Sequence, residues 1–383
     1  MVCERIGLSE KMLRPMRSRR CSRKMLTLLL AFHVSSAVAL HVRIGTRPSP
    51  LAVTQAEAIA AALTRCNPAV STELVKLTSS GESTSTSMAA ADFAGSIDEA
   101  VVSGVVDVGV HSLKDLPPMH RWQHASELSI GCHLPRECPS DVLVGASSVA
   151  ALPAKSRVGS SSVRRRAQWL ALRPDVQVVN LRGNVGARLD ALESGEVDAL
   201  LLAAAGLERL GLGAEDARLA RGRCELSADE MLSACAQGIV GAVCRRDADD
   251  ELLELLVDAD EPASRLAAAA ELAFLSVVDS AVPSTGRPPL AAYLEPCANG
   301  GWDFHGLLAR PDGSRVVRVA RRGLPADMSE AMARAVGADA AEDLLEQAGA
   351  DLFDSSAALA APPPAATARE ERAEEARAPL TPA

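Results

Sequence analysis

Between residues 42 and 202 short apolar strands alternate with amphipathic helices, and this alternation limits the fold more than any other feature of the 383-residue chain. Val42, Arg43 and Ile44 read as a strand. Leu51, Ala52, Gln55, Ala56, Ile59 and Leu63 then recur at helical spacing in a helix over 49–65, which Asn67 and Pro68 end. Residues 72–77 alternate as a strand does, and a helix over 97–102 and a strand over 105–110 complete a first unit. A second unit repeats the pattern: strand 141–144, helix 162–172, strand 176–181, a helix to Leu192 and a strand over 197–202. Such alternation predicts parallel sheets covered on both faces. Two such units predict two lobes, with ligand in the cleft beyond the strand C-termini. Residues 226–245 read as helical and 260–355 as a further α+β unit. The Ser/Thr run over 78–87 predicts a mobile loop, and the Ala/Pro/Glu/Arg-rich stretch 356–383 a disordered tail.

The first 39 residues differ from the rest. They hold eight Lys and Arg, including Arg17, Arg19, Arg20, Arg23 and Lys24, against Glu4 and Glu10. An apolar run over 25–34 and the small residues Ala37 and Ala39 follow, which is the chemistry of a secretory-type leader. The expected destination is a plastid reached through the endomembrane system, or else secretion or another endomembrane compartment. Without the leader the net charge moves from −9 to about −15, which argues against non-specific nucleic-acid binding. One Tyr, three Trp and five Phe are too few for a base-stacking platform. The nine cysteines form no CxxC pair, so neither a zinc ribbon nor a redox motif is expected, and no metal site. No run of 18 apolar residues predicts a membrane span.

Three runs carry candidate chemistry. At Val110-His111-Ser112-Leu113-Lys114-Asp115-Leu116-Pro117 an apolar strand ends in an imidazole, a hydroxyl, an ammonium and a carboxylate. The lysine and carboxylate there suit stabilisation of a cation or transfer of a proton, although a solvated strand end has the same composition. At Gly159-Ser160-Ser161-Ser162-Val163-Arg164-Arg165-Arg166, Ser162 reads as an N-cap. Arg164 and Arg165 then fall at the positive end of the helix dipole, a placement that makes sense if an anion binds there. At Leu181-Arg182-Gly183-Asn184-Val185-Gly186-Ala187-Arg188 the glycines permit a sharp turn, and Asn184 caps a helix that carries Arg188. With Arg47, which follows the first strand, these arginines predict a polycarboxylate ligand; no GxxxxGK[ST] loop is present.

Together these runs resemble the porphobilinogen deaminase (hydroxymethylbilane synthase) family over residues 43–350. The likeness includes Arg43-Ile44-Gly45-Thr46-Arg47, Arg136-Glu137-Cys138-Pro139-Ser140-Asp141 and Leu202-Ala203-Ala204-Ala205-Gly206-Leu207-Glu208-Arg209-Leu210-Gly211. It implies an α/β fold of two lobes like those of type II periplasmic binding proteins, with mixed or parallel sheets, plus a small C-terminal α+β domain. Lobe one would span 42–133 with 238–255, lobe two 138–231, and the third domain 260–355. The implied activity joins four porphobilinogen molecules head to tail into linear hydroxymethylbilane and releases ammonia. Porphobilinogen and polypyrrole intermediates are the expected partners, nucleic acid and membrane are not, and the mature chain is expected to be a monomer. The resemblance makes Asp115 the catalytic carboxylate. It assigns Arg47, Ser49, Lys114, Ser162, Arg164, Arg165, Arg182, Arg188 and Arg209 to binding the acetate and propionate groups of substrate and cofactor. The family's cofactor is a dipyrromethane primer held on a cysteine, and here that position falls on Gly286, or on Val282 if aligned from the left. No cysteine lies between Cys244 and Cys297, and the motif Pro-Ala-x-Gly-Gln-Gly reads Ser233-Ala234-Cys235-Ala236-Gln237-Gly238. Two functions therefore stay open: an active transferase whose primer is non-covalent or on another cysteine, and a catalytically silent member that binds porphobilinogen or bilane or serves as an assembly partner.

Overall fold

The computed structural model describes residues 40–77, 92–213, 216–282, 288–349 and 352. The leader, the Ser/Thr-rich loop, Gly286 and the C-terminal tail lie outside the described residues.

Strand β1 (His41–Thr46) is followed by α1 (Pro50–Cys66), whose N-cap Ser49 accepts a hydrogen bond from the Ala52 amide. Proline at the start of α1 costs nothing, because the amide it lacks would have no helical partner. The helix buries Ala52, Gln55, Ala56, Ile59, Ala62 and Leu63 against the sheet, close to the periodic face read from the sequence. Then come β2 (Ser71–Lys76), α2 (Asp92–Val102), β3 (Val108–Ser112) and β4 (Leu128–His133). The strand expected over 105–110 sits three residues later at its start, and Val105 is exposed.

The second sheet is built from β5 (Asp141–Val144), β6 (Arg157–Gly159), α3 (Val163–Leu172), β7 (Gln177–Val179), α4 (Val185–Glu193), β8 (Ala199–Ala203), α5 (Ala204–Arg209) and β9 (Arg223–Glu225). The chain then returns to the first sheet as β10 (Val240–Arg245). The strand orders are β2-β1-β3-β10-β4 and β7-β6-β8-β5-β9.

Two expectations are corrected here. The sheets are mixed: β10 runs antiparallel to both β3 and β4, and β5 runs antiparallel to β8 and β9. A strand and helix pattern predicts parallel neighbours only where a helix makes the crossover, and β10 arrives without one. Residues 226–245 are not helical. Their Ala, Leu and Met favour a helix, but all residues from Met231 to Cys244 are buried apart from half-buried Ala234, and a central strand with an irregular approach satisfies that enclosure.

The first and second sheets are joined by two crossings that hydrogen-bond to each other. The Leu134 amide donates to the Val240 carbonyl at 2.9 Å and the Glu137 amide to the Gly238 carbonyl at 3.2 Å. Beyond them α6 (Asp250–Asp258) and α7 (Pro262–Ala281) lead to an antiparallel sheet of β11 (Leu290–Pro296), β12 (Trp302–Ala309) and β13 (Val316–Leu324), closed by α8 (Glu330–Ala348). Gly337 of α8 lies directly on the Ala270 carbonyl of α7, so the two helices pack with no room for a side chain there. Buried Glu271 on α7 accepts both guanidinium arms of Arg136, at 2.6 and 3.2 Å, and the amides of Ala236 and Leu294. One carboxylate thereby ties both crossings to the third sheet. Among the described residues no helix is long and apolar enough to cross a membrane.

Candidate active site

Strand β3 delivers His111 and Ser112 to a short 3-10 turn, Leu113–Asp115. Three contacts pin that turn. Buried His111 places Nε2 3.0 Å from Asp98 Oδ1, while Asp98 Oδ2 accepts the Trp122 indole N–H at 2.7 Å. The Gln55 amide donates to Ser112 Oγ at 2.7 Å, and the Leu113 amide donates to the Ile239 carbonyl at 3.0 Å. With Leu113 sealed in the core, the turn presents Lys114 half-buried and Asp115 exposed.

In the second sheet, β6 ends at Gly159 and Ser162 caps α3 by accepting from the Arg165 amide. Arg164 and Arg165 are both buried in the first turn, as the sequence placed them. The anion they meet is the protein's own. Arg164 Nη1 donates to Asp141 Oδ2 at 2.6 Å and to the Leu232 carbonyl at 2.7 Å. Arg165 Nε donates to Asp141 Oδ1 at 2.9 Å, and its Nη1 to the Leu201 carbonyl at 3.0 Å. Burial alone would raise the Asp141 carboxyl, but the two guanidinium charges outweigh it and hold the group well below the usual range.

Gln237 joins the two halves. Its Nε2 donates to the Pro139 carbonyl at 2.6 Å and to Asp141 Oδ1 at 3.1 Å, and its Oε1 accepts from Lys114 Nζ at 3.3 Å. Burial lowers Lys114 to about 8; Asp115 opposes the shift, and the nearby charges of Arg165 and Arg164 deepen it. Arg188 is lowered by burial and by Arg165, against the pull of Asp115. Lys114, Asp115, Asp141, Arg164, Arg165 and Arg188 thus share one electrostatic neighbourhood, in which four cations face two carboxylates.

The other predicted residues are placed as follows. Asn184 caps α4 through the Ala187 amide, Gly183 adopts φ 112°, and Arg188 Nε donates to the Gly183 carbonyl at 2.9 Å. Arg182 is exposed and Arg47 half-buried, while the Ser49 hydroxyl caps α1. Arg209 pairs with Glu137 at 2.7 Å and donates to the Gly238 carbonyl at 2.8 Å, so it braces the crossings. Sequence reasoning missed Gln237, Asp141, Asp98 and Glu271 as working parts. Arginines at a helix start signal an anion, but the same signal serves an internal carboxylate and an external one.

The family model for porphobilinogen deaminase, dipyromethane cofactor binding domain, matches residues 42–254, more than half of the chain. The chain belongs to the porphobilinogen deaminase family. A chloroplastic porphobilinogen deaminase from Oryza sativa subsp. japonica is 40% identical over 350 residues, which cover 88% of this chain and 92% of the relative. Another from Pisum sativum is 38% identical and covers 82% and 84%. A porphobilinogen deaminase from Nitrobacter winogradskyi is 38% identical and covers 81% and 94%.

The deaminase family's cofactor can be tested against the residues present. The excess of cations around Lys114 suits a ligand bearing several carboxylates. The attachment chemistry does not suit this chain: Val282 is a buried aliphatic residue, Gly286 has no side chain, and neither carries a nucleophile. Both positions lie beyond the matched residues 42–254, and the sequence holds no cysteine from 255 to 296.

Proposed function

We propose that the chain is a hydroxymethylbilane synthase, a transferase that condenses four porphobilinogen molecules head to tail and releases ammonia at each condensation. The observation that carries the reading is the pinned turn, which sets an exposed carboxylate beside Lys114 in a field of guanidinium groups. Loss of ammonia from the aminomethyl group leaves a cation conjugated with the pyrrole nitrogen. Asp115 stabilises that cation and accepts from the ring N–H, while Lys114, Arg188 and the other arginines hold the acetate and propionate groups. A second pyrrole then attacks through its free ring carbon, and loss of the proton from that carbon restores the aromatic ring.

Lys114 belongs to substrate binding in this reading. About half of it is neutral at pH 8, so carboxylate binding weakens as pH rises from 7 to 9. Arg47, Ser49, Ser162, Arg164, Arg165, Arg182 and Arg209 complete the set proposed to bind or orient carboxylates. The chloroplastic plant relatives support a plastid location; entry through a secretory-type leader and use of the product in haem and chlorophyll synthesis are part of the proposal. We propose a monomer.

The test is a bilane-formation assay with Asp115→Asn. Turnover should fall by at least about a hundredfold, the usual order for loss of a charge that stabilises a developing cation. Turnover within a few-fold of the unmodified chain would refute the role of Asp115. The absent thiol favours a second reading, a silent member that binds bilane. Absence of turnover with preformed bilane supplied would select it.

A further inference from the structure

We infer that this chain retains its dipyrrole primer by ion pairing alone, with no bond from the primer to sulfur. The inference rests on the synthase reading and concerns how that same site is loaded.

A thioether requires a thiolate near Lys114 and Asp115, and the cysteines among the described residues are poorly suited to supply one. Cys132 and Cys244 are buried on β4 and β10, and burial pushes the Cys132 thiol up to about 12. Cys244 is raised by burial as well. Cys138, in the crossing, donates to Glu225 at 3.2 Å, and burial together with that carboxylate raises it. Cys224 lies on β9 at the edge of the second sheet and is also raised by burial. Cys66 is at the far end of α1, with Sγ 3.3 Å from the Asp258 carbonyl. Cys297 follows β11 at the turn of a hairpin in the third sheet. Cys235 is nearest in sequence to Gln237, but it is enclosed in the apolar core with Leu113, Phe274 and Leu275.

What the site offers is charge. Lys114, whose Nζ donates to Gln237 Oε1 at 3.3 Å, is lowered by burial against the pull of Asp115, and Arg188 is lowered by burial and then by the guanidinium of Arg165, so both cations sit desolvated with less negative charge around them than they can accept. Asp141 is already committed to Arg164 and Arg165. A dipyrrole brings four carboxylates, which offset this desolvation by ion pairing without any covalent bond.

The experiment compares native and denaturing mass spectra of the purified chain, supplied with preformed hydroxymethylbilane or a dipyrromethane tetracarboxylate. At low salt the native spectrum should show the bound pyrrole, and the denaturing spectrum the bare polypeptide. Because the ion pairs are screened, retention through gel filtration should fall by about tenfold or more from about 50 mM to about 500 mM salt. Gly286→Cys supplied with hydroxymethylbilane should instead acquire an adduct that survives denaturation, its thiol displacing the terminal hydroxyl group as water. An adduct on the unmodified chain, mapped to Cys235 or to any other cysteine, would overturn the inference and leave the synthase reading intact. No retention at low salt combined with no bilane turnover would overturn both.

Discussion

Binding of a polycarboxylate should make the chain take up a proton near pH 8.5, and Lys114 is the group that takes it. In the free chain burial lowers this ammonium from an ordinary value of 10.5 to about 8. At pH 8.5 it is therefore about one-quarter protonated, by simple titration arithmetic. Carboxylates placed against it restore the charged form, and a return to its ordinary value implies uptake of about 0.7 proton per ligand. The apparent affinity should fall about tenfold between pH 7 and pH 9, because only the charged form binds well. The ligand for the assay is a dipyrromethane tetracarboxylate, whose own groups titrate near pH 4, well outside this window. Calorimetry at pH 8.5 in two buffers of different ionisation enthalpy reads the uptake directly. Lys114→Arg, charged throughout, should bind with no uptake and no loss of affinity over the same range. A heat independent of the buffer in the unmodified chain, or equal uptake in Lys114→Arg, would refute the assignment. The same shift has a sign for stability. From pH 8 toward 10.5 the unfolded chain keeps the proton that the folded chain has lost, so this group's contribution makes the unliganded fold more stable as pH rises, by up to about 3 kcal/mol.

Gln237→Leu removes the oxygen that accepts from Lys114, so the ammonium should titrate lower still. Carbon-13 NMR of reductively methylated protein can check this, since Lys76, Lys114 and Lys155 are the only lysines after the leader. Ala236 has φ 57°, in the left-handed region, and Ala236→Gly should gain a few tenths to about 1 kcal/mol in urea unfolding. Gly238→Ala should lose about 2 kcal/mol or more in the same assay, since φ is 89° and a Cβ would overlap the Glu137 carbonyl oxygen. Glu271→Ala strands Arg136 and two buried amides, and should cost about 3–5 kcal/mol, with faster hydrogen exchange at Ala236 and Leu294.

Local chemistry was legible in the sequence because it depends on near neighbours. Ser49, Ser162 and Asn184 were read as helix starts or caps, and each side chain accepts from an amide three residues on. Strand order and direction were not legible. β10 reads as a helix by composition and becomes an antiparallel strand because the chain must return to the first sheet through a buried crossing. Ala236 shows the same limit from the other side. Its conformation suits glycine, yet the amide is fixed by Glu271, thirty-five residues later, and no local pattern announces that partner.

The roles of the arginines follow from which carboxylate the fold brings to each. Arg164 and Arg165 signalled an anion from their place on the helix dipole, and Asp141, more than twenty residues earlier, fills that need because β5 is joined to β6 through β8. Arg209 is spent in part on Glu137 and the Gly238 carbonyl. Lys114 and Arg188 are placed to meet an incoming polyanion: both are lowered chiefly by burial, and Arg188 also by the charge of Arg165. The net charge of −9 concealed this, since the excess is local. A site of that kind has its loading force in electrostatics already, so loss of one thiol removes the permanence of the primer more than its place. Release by salt, and not by reduction or hydrolysis of a bond, is the behaviour this arrangement of charges requires.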